Sequence, residues 1–228
     1  MKNLIYILIA FIASCSVKQN DMNNLSNNKF NTKLKNKLDY ILLKDQGIRE
    51  LLDEKLSVER KSKLLSDMKL DIKDLEGNKK FALMREIDST NMLETESIIK
   101  KYGYPSKAIV GEPANKAIFY VIQHSNKIDE YLPLIRKATE NGDLPKTSLA
   151  MMEDRNLMYK GLEQIYGTQI KGKQSKNGEW MYFLWPIKNP DSINIRRKNV
   201  GFDQTIEEYT KKMNVEFKLY KINELNEL

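Results

Sequence analysis

The residue best suited to acid–base chemistry in this sequence is His124, which is the single histidine of the chain. Imidazole is the side chain whose ordinary pKa lies near neutrality, so His124 is the candidate general acid or base. A carboxylate commonly orients such a ring, and Asp45 and Asp154 are the candidates because both interrupt apolar helical stripes. These three residues form the predicted catalytic set.

Several further polar residues lie on apolar stripes of predicted helices, where a charge is costly unless it is paired and hydrogen-bonded. Arg49 follows Asp45 by one helical turn, and Arg155 follows Asp154 directly. We therefore expect these side chains to meet inside the fold. The predicted cluster contains Asp45, Arg49, Gln123, His124, Asp154 and Arg155, with Gln164 and Gln169 as further members.

This cluster is compatible with catalysis, with ligand binding or with a purely structural network, and the sequence leaves the three open. In a binding site the arginines would hold an anion, such as a fragment of a cell wall. The candidate ligand-binding residues are Arg49, Gln123, Arg155, Gln164, Thr168, Gln169 and Arg197. We predict a binding or structural module, with a hydrolase that uses His124 as general base as the alternative.

Other chemistries have less support from the sequence. Thr168 is a conceivable nucleophile, but no Gly-x-Ser-x-Gly turn is present. Asp45 and Asp154 could act as a glycosidase pair, although nearby arginines oppose the raised pKa that its acid needs. One His and one Cys exclude His-pair and Cys-rich zinc sites, and Asp71–Gly77 lacks the calcium-loop spacing. We expect no metal and no cofactor.

The composition is that of a globular protein, with 228 residues, 41% of them hydrophobic and 30% charged. The formal net charge is +7, but basic and acidic residues alternate as they do on solvated helix faces. An exported protein does not meet nucleic acid, so nucleic acid is not an expected partner. The segment that predicts export is the amino-terminal one.

Residues 1–14 have the pattern of a signal peptide, with Lys2 followed by an apolar run, Leu4–Ala13. Ile12-Ala13-Ser14-Cys15 resembles the lipobox of bacterial lipoproteins, which implies lipidation of Cys15; a plain secretory signal is the alternative. Residues 15–31 are predicted to be the lipidated Cys and a flexible tether, and 32–228 a single domain. Lipoprotein sorting implies the outer membrane, facing the periplasm. The expected partners are that membrane and an anionic envelope ligand or a protein.

Helical periodicity dominates the first two thirds of this domain. One helix follows the stripe Leu34–Leu52, and the next spans Val58–Leu75. Asn91 is predicted to cap a new helix, which divides the region after Leu75 into two helices. Gly103 ends the second of them. The next predicted helix, Ala114–Ser125, is apolar all round. The later ones are Ile128–Glu140, a helix that begins at Thr147 or Ser148 and ends at Tyr166, and two short helices around Arg196–Arg197 and at Gln204–Met213.

The pattern changes after Gly167. Thr168–Gln174 and Glu179–Ile187 are rich in β-forming residues and flank Asn177-Gly178, a strong signal for a hairpin turn. The predicted fold is mainly α, a compact multi-helix domain with one β-hairpin near its carboxyl-terminal third.

Some of these residues together resemble a family of bacterial proteins of unknown function. The matching pieces are Gln123-His124, Asp154-Arg155 and, most specifically, Gln164-Ile165-Tyr166-Gly167-Thr168-Gln169, supported by Arg197, by Asp45 with Arg49, and by Asp88 with Asn91. The resemblance covers about Leu38 to Tyr209. It implies that these positions belong together and implies no activity.

Overall fold

The structure, a computed structural model, describes residues 30–175 and 178–226. It confirms a mainly helical domain with one antiparallel hairpin. The helices are α1 (Thr32–Leu51), α2 (Val58–Met68), α3 (Lys79–Tyr102), α4 (Lys107–Val110), α5 (Ala117–Gln123), α6 (Ile128–Glu140), α7 (Lys146–Tyr159), α8 (Ile193–Val200) and α9 (Ile206–Lys212), with β1 (Ile170–Gln174) and β2 (Trp180–Leu184) between α7 and α8.

The short helix α5 lies at the centre of the helical part, as its apolar sequence predicts. It packs against α1, α3, α6 and α7. Ala117, Ile118, Phe119, Val121 and Ile122 are each at most 2% exposed. Because α5 is covered on all sides, the residues at its carboxyl end are held in place by several elements at once.

The prediction that Asn91 begins a new helix is wrong, because α3 runs unbroken from Lys79 to Tyr102. The side chain of Asn91 is buried, and its amide nitrogen lies 3.4 Å from the carbonyl oxygen of Ile41 on α1. The side chain of Asn91 thus contacts the neighbouring helix α1 instead of capping a helix.

Two other predicted helices end earlier than expected. Helix α2 stops at Met68, because Lys69 adopts a left-handed conformation, and a separate 3₁₀ turn follows at Ile72–Leu75. Helix α7 stops at Tyr159 rather than Tyr166. Gly161 has φ +70° and nothing within 4 Å of where a Cβ would lie. A residue with this positive φ ends the helix, and glycine adopts that conformation without strain.

The hairpin packs on the last two helices through a small core of its own. β1 and β2 pair in the register Ile170 with Leu184. Leu184 is buried in one cluster with Ile187, Ile193 and Ile206, and therefore ties the hairpin to α8 and α9. The segment between α7 and β1 lies at this junction, where Gln164 bridges Ile187.

None of the helices in the described ranges is long and apolar enough to cross a membrane. Cys15, the predicted signal peptide and most of the predicted tether lie outside the described residues.

Candidate functional site

The side chain of His124 is paired with the buried carboxylate of Asp45. His124 follows the last residue of α5, and its Nδ1 lies 3.0 and 3.1 Å from the two carboxylate oxygens of Asp45. A carboxylate at Nδ1 accepts a hydrogen bond from that nitrogen, so the ring proton is assigned to Nδ1. The lone pair of the neutral ring is then on Nε2.

Arg49 joins this pair to α3. Its Nη1 donates to the backbone oxygen of Asp45 at 2.8 Å and lies 3.5 Å from the Asp45 carboxylate. Its Nη2 lies 2.9 and 3.0 Å from the two carboxylate oxygens of Asp88. Asp45 also accepts from Nε2 of Gln46 at 2.6 Å. Arg49 therefore contacts both carboxylates, and the carboxylate of Asp45 also bonds to His124.

A groove of about 650 Å³ opens beside the histidine, between α3 and the segment that follows α5. His124, Asp88, Met92 and Leu93 are among its lining residues, and 15% of the His124 side chain is exposed. Within the part of the chain that the structure describes, no group hydrogen-bonds to Nε2 of His124. Nε2 is thus the ring nitrogen that a ligand can reach. We call Asp45, Arg49, Asp88 and His124 the groove group.

Asp154 has a different role from the one predicted, because it binds a loop rather than His124. Its buried carboxylate accepts from the backbone nitrogens of Ile165, Tyr166 and Thr168 at 2.7, 3.0 and 3.0 Å, and from the Thr168 hydroxyl at 2.9 Å. Burial raises the pKa of Asp154, and these hydrogen bonds oppose the rise. Among the described residues, the carboxylate that is hydrogen-bonded to the imidazole is that of Asp45.

Gln164 and Gln169 belong to the same loop and pin its end to the hairpin. The side chain of Gln164 accepts from the Gln169 backbone nitrogen at 2.8 Å and donates to the Gln169 and Trp185 carbonyls at 3.1 and 2.6 Å. The amide of Gln169 donates to the Thr168 hydroxyl oxygen at 2.9 Å. Since the Thr168 hydroxyl itself donates to Asp154, it is held in this network and is not placed as a nucleophile.

Arg197 closes the loop from the side of α8 and is only 2% exposed. It donates to the carbonyls of Gln204 and Tyr166 at 2.9 and 2.8 Å. Its guanidinium carbon lies 4.7 Å from the ring centre of Phe202 and 5.2 Å from that of Tyr209. Burial lowers the pKa of Arg197. We call Asp154, Gln164, Thr168, Gln169 and Arg197 the loop clamp.

Arg155 connects the loop clamp to the groove group. Its Nε donates to the side-chain oxygen of Gln169 at 3.0 Å, and its Nη1 donates to the backbone oxygen of Gln123 at 3.2 Å. Gln123 precedes His124, and its buried side-chain oxygen has no hydrogen-bond partner among the described residues. The predicted cluster is therefore two groups joined by Arg155 at the end of α5.

Asp88 is the member of the groove group that the predicted site omits. The signal for it in the sequence is the family resemblance, which includes Asp88 together with Asn91. Across residues 30–175 and 178–226, no group of three or more His, Cys, Asp or Glu side chains is arranged to hold a metal ion.

Comparison with known proteins assigns a family and no activity. A family model with the description "Family of unknown function (DUF6624)" matches residues 59–221. The match includes Asp88, His124 and the whole loop clamp, and it begins after Asp45 and Arg49. No curated protein and no solved structure gave a significant match.

Proposed function

We propose, for a chain that belongs to the family of unknown function DUF6624, that the groove beside His124 is a ligand-binding site. The observation that carries this proposal is an imidazole whose Nδ1 is fixed by buried Asp45 while Nε2 has no partner among the described residues. A fixed ring with one unpaired nitrogen offers a ligand a directional hydrogen bond at little entropic cost.

The lining of the groove supports binding over a purely structural role. Leu93 is 69% exposed there, so an aliphatic surface lies beside the polar groups of His124 and Asp88. Mixed linings of this kind, with a few convergent polar atoms, are typical of small-molecule sites. The loop clamp differs from the groove in this respect. The side chains of Asp154 and Gln164 accept hydrogen bonds from backbone nitrogens of the loop.

The proposal includes a location at a bacterial envelope. The support for it is the sequence of residues 1–14 and Cys15, which would anchor the chain by lipid at the outer membrane, facing the periplasm. The segment Ser16–Asn31, if fully extended, would reach about 50 Å from that anchor. The ligand would then be an envelope component or a protein partner.

The test uses the fact that the chain has one histidine, so its imidazole gives a single set of NMR signals. In the full chain labelled with ¹⁵N-histidine, we expect the tautomer whose proton is on Nδ1. Soluble envelope fragments, such as peptidoglycan pieces and lipid head groups, are then titrated in. A saturable shift of the Nε2 signal with one class supports the proposal, and no shift with any class overturns it.

A matched pair of variants locates the binding. Leu93→Ser removes the exposed aliphatic side chain of the groove, whereas Ile195→Ser removes one on α8 that is 64% exposed. We expect Leu93→Ser to weaken binding by about tenfold, equivalent to about 1.4 kcal/mol. Ile195→Ser should leave binding unchanged. Equal effects of the two would place the ligand elsewhere.

A hydrolase is the second candidate, and the Asp45-fixed tautomer is the observation that favours it. The lone pair on Nε2 can take a proton from a water molecule as the water oxygen attacks a substrate bound in the groove. Removing such a base typically lowers the rate by about 10²–10⁴-fold. Hydrolysis of an envelope fragment should therefore disappear in His124→Ala, and activity retained in that variant would refute this candidate.

A further inference from the structure

Three basic side chains converge on the carboxyl end of α5. Arg155 donates to the carbonyl of Gln123, and the next residue is His124. Arg49 and His124 in turn share the carboxylate of Asp45. The chain therefore brings two guanidiniums and its imidazole to one place, from α7, α1 and α5.

The positive charge of Arg49 is matched there, whereas that of Arg155 is not. Arg49 has Asp88 and Asp45 as ion-pair partners. Among the described residues, no carboxylate lies within 4.0 Å of the Arg155 nitrogens, and its guanidinium donates to the neutral oxygens of the Gln169 side chain and the Gln123 backbone. The dipole of α5 offsets about half a charge at most. Burial lowers the pKa of Arg155; the neighbouring Tyr159 opposes this shift, and the charge of Arg49 adds to it.

An unmatched and largely buried guanidinium is costly, and a bound anion would relieve that cost. The carboxylates of Asp45 and Asp88 both pair with Arg49, so an anion at this end of α5 would face Arg155 rather than Arg49.

On the basis of the proposed function, we infer that Arg155 is the principal cation of an oxyanion site at the carboxyl end of α5, next to His124. Carboxylates and phosphodiesters share this chemistry, and a guanidinium binds both through parallel N–H groups. In an envelope ligand, a carboxylate would belong to a peptide or an acidic sugar, and a phosphodiester would belong to a lipid or a polymer backbone.

The experiment titrates the full, ¹⁵N-histidine-labelled chain with acetate and with dimethyl phosphate at constant ionic strength. Neutral trimethyl phosphate is the control probe. We expect a saturable shift of the His124 signals in the millimolar range with one anion or both, and none with trimethyl phosphate. The anion that binds more tightly identifies the source. Equal responses to the neutral and charged phosphates would overturn the inference.

Variants then assign the cation. Arg155→Gln should weaken anion binding at least tenfold and Arg155→Lys less, because lysine keeps the charge. Arg136→Gln is the matched control, since Arg136 is already paired with Glu153 at 2.7 Å, and it should bind as the wild type does. Wild-type affinity in a folded Arg155→Gln would overturn the inference. If that variant does not fold by circular dichroism, Arg155→Lys and the wild-type titrations decide.

The inference and the proposed function fail in different ways. If a neutral envelope fragment shifts the imidazole signals while both anions leave them unchanged, the groove binds a ligand and the oxyanion site is refuted. If the anions shift the signals and Leu93→Ser has no effect on any envelope fragment, the anion site stands and the groove is refuted.

Discussion

The groove group and the loop clamp contain the same kinds of residues and use them in opposite ways. In the groove group, Asp45 and Asp88 bond to side chains, and Nε2 of His124 has no hydrogen-bond partner among the described residues. In the loop clamp, Asp154 bonds to three backbone nitrogens and one hydroxyl, and the arrangement is closed. The buried carboxylate of Asp45 therefore has partners that reach solvent, whereas that of Asp154 is used to hold a loop.

This comparison predicts that variants of the loop clamp cost stability, and that variants of the groove group cost binding. The largest expected effect on stability is that of Asp154→Ala, which leaves three backbone nitrogens without an acceptor. Each unsatisfied buried group costs about 1–3 kcal/mol, so the three nitrogens together predict a loss of about 3–9 kcal/mol in the free energy of unfolding. Because burial raises the pKa of Asp154, removing the charge returns some of that loss.

Urea denaturation measures this loss, and Asp129→Ala is its control. Asp129 is an exposed aspartate that pairs with Lys160, and exposed pairs contribute little. Equal stability of the Asp154 and Asp129 variants would show that the loop does not depend on its clamp.

Arg197→Met is expected to be the next most destabilising change. It keeps an aliphatic side chain against Phe202 and Tyr209 but removes the donors to the Tyr166 and Gln204 carbonyls. We expect a loss of about 2–4 kcal/mol, from two unsatisfied buried acceptors. Thermal unfolding measures it, since each kcal/mol lowers the midpoint by about 2–4 °C in a domain of this size. A midpoint equal to that of the wild type would mean that the methionine substitutes fully.

Asp45→Asn should have a smaller effect on stability and a clear one on the imidazole. The variant loses the ionic contact with Arg49 and the charged acceptor for Nδ1 of His124, and we expect a cost of about 1–3 kcal/mol. An amide can accept from Nδ1 or donate to it, so the tautomer is no longer fixed. The ¹⁵N signals of His124 should then report a mixture of tautomers. A single Nδ1-protonated form in this variant would mean that other groups orient the ring.

His124→Asn is expected to have the smallest effect on stability, within about 1 kcal/mol, because its ring is partly exposed. The same variant should abolish ligand binding or hydrolysis in the groove. Parallel unfolding and binding measurements on His124→Asn and Asp154→Ala therefore sharpen the comparison most. A loss of stability in His124→Asn as large as that in Asp154→Ala would remove the distinction between the two groups.

The sequence predicts the helical frame better than the site. Period-3.6 patterns locate α1, α5 and α6 because those helices bury one apolar face or more. The same patterns extend α7 to Tyr166, because the residues after Gly161 keep helical spacing of apolar side chains although they form a loop. Periodicity describes which side chains are buried and does not register the backbone torsion that ends a helix.

The site could be predicted only as a set of buried polar residues. A charge on an apolar stripe must be satisfied, which holds for Asp45 and Asp154 alike. The sequence does not show that the donors to Asp154 are backbone nitrogens 11 to 14 residues later, since every residue except proline supplies one. It therefore merges two groups into one and assigns Asp154 to the histidine.

The bond from Arg155 to the Gln123 carbonyl has a consequence for local opening of the native state. The same guanidinium binds Gln169, so the loop at 160–169 and the last turn of α5 share one donor group. When the loop detaches, α5 loses a hydrogen bond at its end, and the two segments should open as one cooperative unit. Their amides would then exchange with deuterium at a common free energy, although one lies in a loop and the other in the helical core.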